Sequence, residues 1–193
     1  MRTAPPPLLP VFRSRLQGDV LALVCADPAR EWTIEELADR TRQPYQTVAG
    51  EVRRLSVAAL LTTRSIGRTK LVRADETNPY FEPLARLVSM SFGPQVVVAE
   101  EFADLAGVDQ VVVVGSWAAR YLGEPGPPPN DVDVLLVGSP DRDDAYAAAG
   151  RAQDRLGREV NVIVRTTDQW ARADDAFTLQ LRGAALLRVL PRA

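Results

Sequence analysis

The chain contains no histidine, which removes catalysis built on imidazole and every His-ligated metal site. It has one cysteine, Cys25, so an intrachain disulfide and a thiolate cluster are both excluded. Cys25 follows Leu21 and Val24 at helical spacing, the setting of a buried structural thiol rather than a nucleophile. Any metal must therefore be held by oxygen, which favours magnesium or manganese. Long apolar runs are also missing, with nothing near the roughly 20 residues that span a bilayer. The opening Met-Arg-Thr-Ala-Pro-Pro-Pro lacks the apolar stretch of a signal peptide. The expectation is a cytoplasmic protein with no membrane partner.

What is present is ordinary for a folded chain. Its 193 residues are 46% hydrophobic and 25% charged, enough apolar material for two small cores. The formal net charge of −2 hides an asymmetry. Residues 1–78 carry 12 basic and 9 acidic side chains, a balance of +3, while residues 79–193 carry 11 and 16, a balance of −5. Within 40–73 eight basic residues (Arg40, Arg42, Arg53, Arg54, Arg64, Arg68, Lys70, Arg73) face one acid, Glu51. A local +7 suits a phosphate-facing surface. A solvated charged face has the same composition, so the placement of these residues has to decide.

Leu16, Val20, Leu23 and Val24 fall at helical spacing, which predicts a helix over roughly 11–26, closed by Asp27-Pro28. Thr33 stands three residues before Glu36, a capping-box pattern that opens a second helix to about Thr41. After a turn at Arg42-Gln43, Pro44 suits the first turn of a third helix. Val48, Val52 and Leu55 form its inward stripe, with Gln46, Thr47, Gly50, Arg53 and Arg54 on the other face. Residues 60–64 and 69–73 read as two strands around a turn at Ile66-Gly67-Arg68.

Helix, turn, helix and basic hairpin is the order of a winged helix-turn-helix. The segments Glu35-Glu36-Leu37-Ala38 and Thr47-Val48-Ala49-Gly50-Glu51-Val52-Arg53-Arg54-Leu55 resemble bacterial repressors of the ArsR/MarR kind over about 70 residues. The resemblance implies double-stranded DNA as a partner, with the third helix in the major groove. Gln46 and Thr47 would then meet base edges, and Arg53, Arg54, Arg64, Arg68 and Lys70 would meet mostly phosphates. The competing reading is a winged helix used for protein contacts alone. Residues 80–92 are rich in large apolar groups, with Leu84, Leu87 and Val88 on one face. That connector is the expected seat of a homodimer.

The second half has different signals. After a helix of about 95–107, the run Gln110 to Gly115 reads as a buried strand. Ser116 and a short helix from Trp117 to about Leu122 follow. A Gly-Pro-rich loop leads to Asp131-Val-Asp-Val-Leu-Leu-Val137, a second strand. Alternation puts Asp131 and Asp133 on one face about 6–7 Å apart, a spacing that serves hard cations. Gly115-Ser116, where a strand turns into a helix, offers close backbone approach and N–H donors to a phosphate. The tail, Phe177, Leu181, Ala184 and Leu187, reads as a closing helix or helices, and Trp117 and Trp170 as packing residues.

Strand, Gly-Ser, helix and Asp-x-Asp on a strand resembles the minimal nucleotidyltransferases of the DNA polymerase beta superfamily over roughly 110–164. The resemblance implies a magnesium–nucleoside triphosphate site, with Asp131 and Asp133 as metal ligands and Gly115, Ser116 and Arg120 toward the nucleotide. It also implies a third carboxylate on a later strand. That strand is Glu159-Val-Asn-Val-Ile-Val164, where Asn161 takes the expected position and Glu159 shares its face. Asp131, Asp133, Glu159 and Asn161 are thus the candidate catalytic set. Arg120 stands four residues after Ser116 where the family pattern has three, and 14 residues separate Ser116 from Asp131.

The expected fold class is α+β, with an N-terminal winged helix-turn-helix over 1–76, a connector helix over 77–94 and a mixed α/β nucleotidyltransferase-like domain over 95–193. The favoured function is a DNA-binding regulator that binds a nucleotide. The alternatives are an active nucleotidyltransferase modifying a protein target or a small-molecule hydroxyl, and a silent interaction module.

Overall fold

The computed structural model describes residues 12–127 and 129–191; of the helix expected over 11–26, only residue 11 lies outside them. The chain is mixed α+β and divides into two compact units at Gly93–Pro94. Among the described residues no helix is long and apolar enough to cross a membrane.

The first unit opens with α1 (Arg15–Ala26), whose Ser14 hydroxyl accepts from the Gln17 N–H at 3.2 Å. A two-residue strand, β1 (Trp32–Thr33), runs straight into α2 (Ile34–Thr41). Both halves of the capping box form: Thr33 accepts from the Glu36 N–H, and Glu36 accepts from the Thr33 N–H at 2.7 Å. Arg42, left-handed at φ 53°, ends that helix, and α3 (Tyr45–Val57) begins after Pro44, whose carbonyl accepts from Thr47 and Val48. Then come β2 (Leu61–Ile66), β3 (Thr69–Ala74) and α4 (Phe81–Phe92). The three strands are antiparallel in the order β1-β3-β2.

One core holds this unit together: Val20, Val24, Leu37, Val48, Val52, Leu55, Leu61 and Val72 are buried in it. The connector segment is part of it, because α4 packs on α1 through Val88 and Phe92. Gly18 makes that contact possible. A Cβ there would lie 2.3 Å from Cε1 of Phe92, and Phe12 meets the same ring edge-on at 4.9 Å.

The second unit contains α5 (Pro94–Glu101), β4 (Val108–Val114), α6 (Gly115–Tyr121), β5 (Asp131–Gly138), α7 (Arg142–Leu156), β6 (Glu159–Arg165), α8 (Thr167–Arg172), α9 (Ala176–Gly183) and β7 (Leu186–Leu190). Its sheet runs β6-β5-β4-β7, with β5 and β6 parallel and joined by the α7 crossover, and the other pairs antiparallel. Asp141 caps α7, and Gly157 in the left-handed region ends it. One sheet face carries Val111, Val113, Val132, Val134, Leu136 and Val160 under α5 and α7, where Ala145, Ala148 and Ala152 let the helix approach closely. The other face carries Val112, Val114, Leu135 and Val137 against Leu181 of α9 and Trp170 of α8.

The tail departs from the sequence expectation. Helix α9 stops at Gly183, and Leu187 lies in β7 rather than in a helix. Val189 and Leu187 pack into one core and Leu186 into the other, and the strand covers the edge of β4 that would otherwise stand unpaired. The 95–107 helix is also shorter than expected, ending at Glu101 ahead of Gly107 at φ 76°.

Candidate functional site

Strand register assembles the acidic cluster. On parallel β5 and β6, Asp131 stands beside Glu159 and Asp133 beside Asn161, while Val114 at the end of β4 faces Asp133 from the other side. All four polar residues share the sheet face of Leu135 and Val137, because side chains two apart on a strand point the same way. One end of this face is apolar and covered by α8 and α9, and the other end is acidic. Asp131, Asp133 and Asn161 are half-buried there, and Glu159 is exposed.

Asn161 ties the cluster together. Its amide Nδ2 donates to Asp131 Oδ2 at 3.2 Å and to Asp133 Oδ1 at 3.3 Å. Loss of hydration raises the Asp133 pKa above its ordinary value; the Asn161 hydrogen bond opposes this, and the charges of Asp131 and Glu159 add to it. A carboxylate held partly out of water beside two others favours any cation that reaches it.

Gly115 closes the site from the β4 side. It adopts φ 71°, where L side chains are strained, and a Cβ would sit 3.2 Å from Asp133 Oδ2. Its N–H donates to the Ala185 carbonyl at 3.2 Å, and Ser116 beside it is exposed. The sequence therefore keeps glycine where the chain turns from β4 into α6 against the carboxylate.

Arg120 is placed differently from a phosphate ligand. Its Nη1 donates to the carbonyls of Glu124 and Pro125 at 2.6 and 2.5 Å, and its guanidinium fills the space beside Gly126. It anchors the loop from α6 to β5. Arg158, which the sequence reading does not single out, acts on the same loop. It donates to the Pro129 carbonyl, two residues before Asp131, and lies 5.4 Å from the Trp117 ring centre. Its only sequence signal is a basic residue between the helix-ending Gly157 and Glu159.

Among the described residues no group of three or more His, Cys, Asp or Glu is arranged to hold a metal. The donor set is two carboxylates and one amide. Magnesium is commonly bound by one or two carboxylates with the rest of its shell from water and substrate phosphates, so Asp131 and Asp133 fit a magnesium–phosphate ligand. Half a turn about the last side-chain torsion of Asn161 would replace its N–H donors by an acceptor oxygen.

The basic cluster of the first unit is spread over α3 and the hairpin. Gln46, Thr47, Arg53 and Arg54 are exposed on α3, and Arg64, Arg68 and Lys70 are exposed on β2, β3 and their turn. Two of these cations are already paired. Arg64 makes a bidentate pair with Glu31, which lowers the Glu31 pKa through that hydrogen bond first and the Arg64 and Arg73 charges next. Arg54 lies 3.3 Å from Glu51, a fully buried carboxylate that Arg13 also holds. Arg53, Arg68 and Lys70 enter no ion pair among the described residues. Cys25 is no nucleophile: burial pushes its thiol up to about 12.

No protein-family profile matches the chain, and no curated protein matches it.

Proposed function

We propose that the chain is a DNA-binding transcriptional regulator whose first unit is a winged helix-turn-helix and whose second unit is a nucleotidyltransferase-like domain binding magnesium–nucleoside triphosphate. One observation carries the DNA-binding half. The exposed face of α3 carries Gln46, Thr47 and Arg53 and the β2–β3 hairpin carries Arg68 and Lys70, with Tyr45 and Val57 at the ends of α3 and Ile66 at the hairpin turn as the exposed large apolar residues. The element order α1-β1-α2-α3-β2-β3 supports docking with α3 in the major groove and the hairpin along the backbone. Titration of genomic fragments, including those upstream of the protein's own gene, at several salt concentrations tests it. Affinity that falls steeply with salt is expected, and no salt-dependent binding would reject the reading.

For the second unit, the support is the carboxylate pair against the Gly115 turn. Asp131 and Asp133 would hold the cation, and the backbone at Gly115-Ser116 would face the phosphates. The cation would neutralise phosphate charge and orient the triphosphate. An active nucleotidyltransferase, moving a nucleoside monophosphate onto a protein or small-molecule hydroxyl, is the second reading, favoured by the same pair. Asn161 argues for binding without efficient transfer, because an amide cannot take a proton from the attacking hydroxyl, a contribution of roughly 10²–10⁴-fold. Incubation with labelled ATP, GTP, CTP and UTP plus magnesium, with and without cell extract, separates the two. Robust labelling of a protein or small molecule promotes the enzyme.

A further inference from the structure

Glycine inside a helix is disfavoured roughly fourfold against alanine, so each one asks for a reason. The described helices of the first unit hold two, Gly18 and Gly50. Gly18 of α1 has its reason in the Phe92 ring, which leaves no room for a Cβ. Gly50, in the middle of α3, has none inside the fold. A Cβ built there meets only Arg54 Nη2 at 3.9 Å, an ordinary contact, and its backbone has none of the positive φ that favours glycine.

Its place on the helix is specific. At about 100° per residue, Gly50 lies within about 40° of the point opposite the buried Val48, Val52 and Leu55. Gln46 and Arg53 stand about 40° and 60° to one side of it, and Arg54 and Thr47 about 40° and 60° to the other. The glycine is thus the crest of the exposed polar face, and anything that α3 docks into meets it first. The major groove is about 12 Å wide, and a helix with its side chains is about 10–12 Å across, so the fit is tight. With glycine on the crest, backbone whose Cα atoms lie about 2.3 Å from the axis leads into the groove. Gln46 and Thr47, about one turn earlier, then gain the depth to reach base edges.

We infer that Gly50 is the seating point of α3 on double-stranded DNA. Its bare backbone lies against the base edges of the major groove, and it sets the depth at which Gln46 and Thr47 read them. The inference rests on the regulator reading and deepens it: helix stability is given up at one position for a close approach to the bases. Gly50 is then a positioning residue, with no charge and no side-chain hydrogen bond of its own. Its replacement should fall on sequence-specific complexes, because non-specific ones are held by the phosphates.

Fluorescence anisotropy on the full chain tests the inference with two probes: the duplex that the parent protein enriches from a randomised pool, and a scrambled duplex of the same composition. Gly50→Ala should weaken binding of the first at least tenfold and of the second less than threefold. Gly50→Leu should weaken the first further. The Gly50→Ala protein should also melt a few degrees above the parent, since alanine is the better helix former and meets no clash, so misfolding cannot explain its loss. Gly150→Ala is the matched control: Gly150 is exposed in α7 with nothing within 4 Å, and its replacement should stabilise without changing either affinity. Undiminished binding of the enriched duplex by Gly50→Ala overturns the inference, as does an equal loss on both duplexes, and in either case the regulator reading stands. A parent that enriches no duplex overturns it too, and one with no salt-dependent DNA binding at all also removes the regulator reading.

Discussion

Asn161 stands directly across from Asp133 on the neighbouring parallel strand, its amide nitrogen 3.3 Å from the Asp133 carboxylate. The same nitrogen reaches Asp131 at 3.2 Å, so one neutral donor is shared by two acids. A shared donor offers each carboxylate part of what a cation would offer, without charge.

Asn161→Asp should therefore change the protein in two linked ways. With no cation, three clustered carboxylates repel one another, and the melting temperature falls. With manganese present, the third charge raises affinity about ten- to a hundredfold, since one carboxylate more at 3–4 Å is worth on the order of 1–3 kcal/mol after screening. Thermal melts with and without manganese, and electron paramagnetic resonance of free manganese, measure both. Equal manganese affinity in the two proteins contradicts the expectation.

Asp133 gives a pH signature. Its folded pKa lies above its ordinary value, chiefly because it is held partly out of water. In the window between the two values the native state binds more protons than the unfolded state, so stability falls as pH rises through it. The penalty is complete at neutral pH and absent below the ordinary value of 3.8. In chelator-treated buffer, Asp133→Asn should melt higher than the parent at pH 7, on the order of 1–2 °C given its partial exposure. The difference should shrink toward pH 3.5. A constant difference across that range would assign the effect to packing.

Local rules made some of this legible. The Thr33–Glu36 capping box spans four residues, and the alternation of Asp131, Val132, Asp133 and Val134 puts both acids on one face without reference to other strands. Contacts that cross the chain were not readable. The pairing of Arg64 with Glu31 joins residues 33 apart, and nothing in either neighbourhood marks it. Asn161 is recognisable by resemblance as the occupant of a carboxylate position, but its bridging of both acids follows from strand register alone. Leu187 misleads because an apolar tail beside a helix continues the helical pattern, while the free edge of β4 decides for a strand. Arg120 shows the same limit: its spacing from Ser116 says nothing of the Glu124 and Pro125 carbonyls that it meets.

Gly115→Ala should destabilise the second unit and disturb the cluster together. The left-handed φ of 71° costs about 1–2 kcal/mol for a residue with a Cβ. The new methyl also presses on Asp133 Oδ2 at 3.2 Å. Chemical denaturation should show that loss, and manganese affinity should fall with it. Gly67→Ala is the control, since its φ of 59° carries similar strain with nothing within 4 Å and lies far in sequence from the acids. Unchanged manganese binding in Gly115→Ala would show that the close approach to Asp133 is not needed.

The Glu31–Arg64 pair predicts a gain of function by removal of an acid. Arg64 is exposed on the hairpin, yet its guanidinium donates through Nε and Nη2 to the two carboxylate oxygens of Glu31. A cation neutralised in this way contributes little to phosphate attraction until the pair opens. Glu31→Gln removes the competing charge and leaves Arg64 in place. DNA affinity should rise about three- to tenfold, and the slope of log affinity against log salt should steepen by about one phosphate contact. Arg64→Ala alone should cost less than Arg53→Ala or Arg68→Ala, each of which should weaken binding and flatten the slope by about one. In the Glu31→Gln background the loss from Arg64→Ala should grow to match them. Gln46→Ala should instead reduce discrimination between sequences and leave the slope unchanged, because a base-edge contact releases no counterion. Fluorescence anisotropy at several salt concentrations reads every term. Equal losses from Arg64→Ala with and without Glu31 would show that the pair does not restrain the hairpin.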